Sequence, residues 1–150
     1  MSGRILGLDP GERRIGVAVA DPTGTIASPD RYIDRTEVDA ASAIRDLCQE
    51  LDVSLVVIGL PLNLDGREGS SAHSARELGE LVEQATGIEV VFQDERFTSK
   101  TAEAALISGG VRRKKRKETR DQVAAAVMLQ SYLDRRRNDA GSGSEGEPLS

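Results

Sequence analysis

The sequence predicts an α/β domain in which a mixed sheet of about five strands carries helices on both faces. Three features point to it. Two β-branched apolar segments, Arg4–Leu8 and Ile15–Ala20, are joined by the turn formers Asp9-Pro10-Gly11. The run Ser54–Leu60 (SLVVIGL) is almost uninterrupted in its apolar character, as a strand covered on both faces must be. Beyond it, segments of helical and strand periodicity alternate, which is the pattern of strands joined by crossing helices.

Taken in order, the first two segments read as adjacent strands, the first of them running into an aspartate. Thr25–Ile33 reads as a third strand, and Pro29 assigns it to a sheet edge because proline cannot donate to a central ladder. Thr36-x-x-Asp39 has the form of a helix start, and Val38, Ala41, Ile44, Leu47, Cys48 and Leu51 then recur at helical spacing. After the Ser54–Leu60 strand, Ala75, Leu78, Val82 and Ala85 mark a second helix closed by Gly87, followed by a strand at Ile88–Gln93. Thr98–Ser108 reads as a short helix ending at Gly109-Gly110, and Asp121–Asp134 as a longer one opened by the capping box Thr119-x-x-Gln122. Arg135-Arg136-Arg137 then suits the negative end of that helix. The folded domain is therefore expected to span 1–137, with the Gly/Ser-rich, acidic segment 138–150 a disordered tail.

The chain has 150 residues, enough for one core, and with 3% aromatic residues that core must be built from Val, Ile, Leu and Ala. No apolar run approaches the roughly 18 residues of a membrane span, and no signal-peptide pattern opens the chain, so a cytoplasmic protein is expected. Cys48 is the only cysteine and lies on an apolar helical stripe, which predicts a small core residue rather than a nucleophile. His73, the only histidine, has no triad partner at a legible spacing and reads as a surface residue.

The net charge of -5 argues against a general affinity for polyanions, but its distribution does not. Arg112–Arg120 carries +6, the tail -3 and the remainder -8. Gathering Arg112, Arg113, Lys114, Lys115, Arg116 and Lys117 into one run predicts a mobile basic loop that contacts nucleic acid. Asp9 follows the first strand, Glu95 follows the last and Asp121 opens the final helix, so three acids far apart in sequence are candidates to meet at one sheet edge. Such a cluster suits hard cations, Mg²⁺ or Mn²⁺, which prefer carboxylate oxygens and leave positions open for a phosphate. The same residues also serve as turn formers and as favourable charges in a first helical turn, and spacing alone leaves both roles open.

The motifs Leu6-Gly-Leu-Asp9-Pro-Gly11 with Arg14-Ile-Gly-Val17, Gly59-Leu-Pro-Leu-Asn63, Asp94-Glu95-Arg96 and Asp121 followed by Ala124-Ala125 together resemble the YqgF (RuvX) family of RNase H-like nucleases. The resemblance runs from about Arg4 to Arg135. It implies an RNase H-like fold and makes Asp9, Glu95 and Asp121 the metal-binding catalytic acids, with two ions when substrate is bound. It also makes Arg14, Asn63 and Arg96 candidates for contact with nucleic acid. The activity implied is a hydrolase acting on phosphodiester bonds, in maturation of the 5′ end of pre-16S rRNA during ribosome biogenesis. The alternative within the same chemistry is a Holliday junction resolvase on branched DNA, which would act as a homodimer rather than a monomer. A non-catalytic nucleic-acid-binding module would keep the fold without turnover. An actin-like or sugar-kinase ATPase begins similarly, but pairs two such domains, for which this chain is too short.

Overall fold

The computed structural model describes residues 3–11, 13–63, 65–94 and 113–143, with the backbone alone for 113–121 and 138–143. Its elements are β1 (Arg4–Pro10), β2 (Arg14–Ala20), β3 (Ala27–Asp34), α1 (Ala40–Leu51), β4 (Val53–Leu60), α2 (Ser70–Thr86), β5 (Glu89–Asp94) and α3 (Arg113–Gly143). They form one five-stranded sheet in the order β3-β2-β1-β4-β5. Short turns can only reverse the chain, so β1, β2 and β3 pair antiparallel, whereas β4 and β5, each reached through a helix, join β1 in parallel.

Alternation along β1 decides which residues face which layer. Leu6 and Leu8 enter a core shared with Ile44, Leu47, Leu78 and Val82 of α1 and α2. Ile5 points the other way, into a core with Ala125, Met128, Leu129 and Leu133 of α3. Both faces of the central strands are therefore covered, which is what the unbroken apolar run at Ser54–Leu60 requires. Among the described residues no helix is long and apolar enough to cross a membrane.

The third strand does lie at the edge. Val17 pairs with Arg31 and Ala18 with Pro29, so Asp30 is an extra residue and the proline sits beside a bulge in an edge strand, the setting in which a residue without an N–H is tolerated. Helix α1 starts later than Thr36: its N-cap is Asp39, whose carboxylate accepts from the Ser42 amide at 3.1 Å. Thr36 instead donates its hydroxyl and amide to Asp34. Gly87 closes α2 at φ 71°, a left-handed conformation that glycine adopts without the Cβ penalty.

Helix α3 departs most from expectation. It starts at Arg113, so Asp121 and the Thr119-x-x-Gln122 pattern lie about two turns inside it rather than at its start. The segment 113–117, expected as a mobile loop, is helical in its backbone, because Arg, Lys and Glu are strong helix formers. The helix also continues to Gly143, past Arg135-Arg136-Arg137, which therefore do not complement its C-terminus and lie in its interior; it also enters the segment expected as a tail. The expected helix at Thr98–Ser108 lies outside the described residues.

Cys48 is 4% exposed between α1 and the sheet, and burial pushes its thiol up to about 11. Since the thiolate is the reactive form, the native protein at pH 8 is expected to resist a thiol reagent and to react stoichiometrically once denaturant is added. Rapid labelling of the native chain would contradict the burial.

Candidate active site

The parallel strands β1, β4 and β5 end at one edge of the sheet, and the antiparallel β2 begins there. At this edge β1 carries Asp9, β4 ends in Gly59-Leu60 and β5 ends in Gln93-Asp94. Leu8, Ile58 and Phe92 form one cross-sheet row, and Gly59 and Gln93 begin the next, the row that Asp9 enters from β1. Asp9 alternates with Leu8 and so stands with Ile5 on the α3 face, partly buried. Asp94, two residues beyond Phe92, shares that residue's face, the α1/α2 side opposite Asp9.

Helix α3 lies close over β1 because Gly7 has no side chain. A Cβ at that position would come within 2.9 Å of the Leu129 Cβ. Leu133 shares with Ile5 the wall of a cavity at the other end of the strand. The helix thus runs back along β1, four helical residues matching about two strand residues in length. Carried one step further, Ala125 is level with Asp9, and the backbone at Asp121 lies a turn beyond it.

Of the three candidate acids, Asp9 is the one whose side chain the structure describes. Glu95 lies outside the described residues, as do Arg96 and Arg112; Arg113, Lys114, Lys115, Arg116 and Lys117 are described as helical backbone. Among the described residues no three His, Cys, Asp or Glu side chains form a metal-binding group. Asn63 is exposed in the loop that leaves β4 at the same edge. Its backbone N–H donates to the Arg67 carbonyl at 2.9 Å and its backbone carbonyl accepts from the Gly66 N–H at 2.8 Å, so the loop is held in shape.

Arg14 begins β2 at this edge, with its guanidinium 4.7 Å from the centre of the Tyr32 ring. Two further arginines, not singled out from the sequence, flank it. Arg13 Nε donates to Asp34 at 3.2 Å, and Arg35 donates to the Gly11 carbonyl at 3.2 Å across the β1–β2 turn. The Asp34 carboxyl is held below the usual carboxylate range, first by the Thr36 hydroxyl and amide and then by Arg13. Only the pairing register brings these residues together, so no local motif could reveal them.

A cavity of about 520 Å³ opens at the opposite edge, lined by Gly3, Asp21, Thr23, Ser54 and Arg136 among others. It has no part in the arrangement around Asp9. His73 is exposed on α2 beside Glu77 and also lies apart from it.

Comparison with known proteins agrees with this architecture. A relative from Clostridium botulinum (strain Eklund 17B / Type B) is 45% identical over 133 residues, covering 88% of this chain and 97% of its own length, and bears the name "Putative pre-16S rRNA nuclease". A relative of the same name from Syntrophomonas wolfei is 43% identical over 132 residues, covering 87% of this chain and 94% of its own. Among solved structures, T. thermophilus RuvC in complex with a Holliday junction substrate superposes with a TM-score of 0.59 at 15% identity, covering 91% of this chain and 96% of that one. The fowlpox virus Holliday junction resolvase superposes with a TM-score of 0.56 at 14% identity, over 88% and 99% of the two chains. These likenesses show the RNase H-like fold expected from the sequence. The RuvX family model, described as Holliday junction resolvase, matches residues 3–135, and the chain belongs to that family.

Proposed function

We propose that this chain is a metal-dependent endonuclease that hydrolyses phosphodiester bonds in pre-16S rRNA, in the cytoplasm, with Asp9, Glu95 and Asp121 as its metal-binding acids. The observation that carries the reading is the position of Asp9. It stands at the carboxyl edge of the sheet, on the face covered by the helix that bears Asp121, with glycines at its neighbours Gly7 and Gly16. Asp94 stands on the other face, and Glu95 is the acid of that motif assigned to join Asp9. A set of carboxylate oxygens beside small residues fits Mg²⁺ or Mn²⁺, and leaves room for a phosphate. Bound ions, two of them with substrate in place, would stabilise the attacking and leaving oxygens of the displacement.

The chain's own residues then fix the geometry. Strand β1 holds Asp9 opposite Gly16 of β2, and Leu129 against Gly7 sets the height of the helix above it. Arg14, Asn63 and Arg96 are assigned to the nucleic acid near the cut, and Arg112–Lys117 to its flanking phosphates. Arg113–Lys117 place five positive charges in the opening turns of α3, where the helix dipole favours anions. Phosphates docked there relieve that repulsion. Replacing these five residues with Gln is expected to weaken RNA binding and to flatten its salt dependence, by about 0.7 in log–log slope for each phosphate no longer neutralised. An unchanged slope would return the segment to a plain solvated helix.

The test is cleavage by the wild-type protein, with Mg²⁺ or Mn²⁺ and with EDTA, of a structured pre-16S rRNA fragment and of a four-way DNA junction. Metal-dependent cutting of the RNA is expected. Paired symmetric nicks in the junction without RNA cleavage would establish the resolvase reading instead, and binding without turnover in every metal would leave a non-catalytic module.

A further inference from the structure

We propose that Tyr32, with Arg14 against its ring, is a stacking platform for an unpaired nucleobase adjoining the scissile phosphate; this rests on the nuclease reading of the Asp9 edge. Asp9 pairs with Gly16, and Gly16 pairs with Tyr32. Directly paired residues project to the same face, so Asp9 and Tyr32 share the α3 face of one cross-sheet row with a glycine between them. Two strand spacings put them about 10 Å apart. Gly16, itself buried, puts no side chain between the acid and the ring.

Packing does not account for Tyr32. The chain has only two Phe, two Tyr and no Trp, and Phe92 and Tyr132 pack against the two cores. Tyr32 is 41% exposed. A phenol with a guanidinium 4.7 Å from its ring centre presents the two kinds of flat surface on which bases stack, an aromatic ring and an arginine plane. Arg13 and Arg35 lie around the same turn and add positive charge for the backbone that carries the base. Recognition of this kind requires a base that is out of its helix, so the platform selects single-stranded or unstacked nucleotides at the cut and reads no sequence.

The experiment measures binding without cleavage. In a Tyr132→Phe background Tyr32 is the sole tyrosine, and a 12-nucleotide single-stranded RNA is titrated in EDTA. Quenching of tyrosine emission is expected, with little quenching by an abasic strand of the same length. Tyr32→Ala is expected to weaken binding by between about fivefold and a hundredfold, and Tyr32→Phe to retain it. Equal affinity of the Ala variant, or equal quenching by the abasic strand, would overturn the platform. The two readings fail separately. RNA that quenches Tyr32 but is never cut refutes the nuclease and leaves the platform; cleavage with an unchanged KM in Tyr32→Ala refutes the platform alone.

Discussion

Asp9→Asn is expected to lower RNA cleavage by about 10²–10³-fold or more, the scale on which loss of one preorganised charge-stabilising group acts in an active site. The substitution keeps the side chain's size and shape and replaces one carboxylate oxygen with an amide that repels a cation. Position 9 lies in a paired strand between Leu8 and Pro10, with Gly16 opposite, and Asn fills the same volume as Asp there. The melting temperature should therefore move by no more than the 2–4 °C that about 1 kcal/mol produces in a chain of this length. The two readouts separate a chemical role from a structural one. A turn-forming aspartate would show the reverse pattern, a lower melting temperature with cleavage per folded molecule intact. Cleavage that survives both Asp9→Asn and EDTA would falsify the metal mechanism outright.

What could be read from the chain depended on whether the deciding interaction was local. The doubly covered strand at Ser54–Leu60, the glycine that closes α2 and the edge position of Pro29 all follow from steric or solvation rules that act within a few residues. Helix α3 was misread for a related reason. Thr119-x-x-Gln122 has the form of a start signal, but such a signal acts only where the preceding residues leave the helix, and Arg113–Glu118 are good helix formers that remain in it. Charge repulsion in the same stretch suggested a loop, and it did not outweigh that propensity. Similarly, Arg135–Arg137 suited a helix end only so long as the helix was taken to stop there; in the structure Arg135 reaches Gln93 on β5 and Arg137 pairs with Asp134. Asp9 was legible because it directly follows an apolar strand segment. The row Asp9–Gly16–Tyr32 was not, since it exists only through two antiparallel registers, one of them bulged at Asp30. The sequence could name the acid but not the ring beside it.

Gly7→Ala is expected to reduce both stability and catalysis, and the second effect is the more informative. The new Cβ would lie 2.9 Å from the Leu129 Cβ, well inside the roughly 3.5–4.0 Å at which carbon atoms rest. Because the opposing atom is a Cβ, no rotamer of Leu129 relieves the contact, and the backbone of α3 must lift from the sheet. Overpacking of this kind costs about 1–3 kcal/mol. If Asp121 works with Asp9, that lift changes the separation of two groups held on opposing surfaces, and a displacement of about 1 Å in a catalytic arrangement can cost 10²-fold. Gly79→Ala supplies the comparison. Its Cβ would meet Phe92 Cζ at 2.7 Å, in the layer between α2 and β5 on the far side of the sheet. It should lower the melting temperature while leaving α3 and kcat in place. Both variants are assayed well below their melting temperatures, so that the folded fraction is equal. A fall in kcat confined to Gly7→Ala ties the helix to the chemistry; equal kcat in the two variants would separate Asp121 from the site, whatever their stabilities.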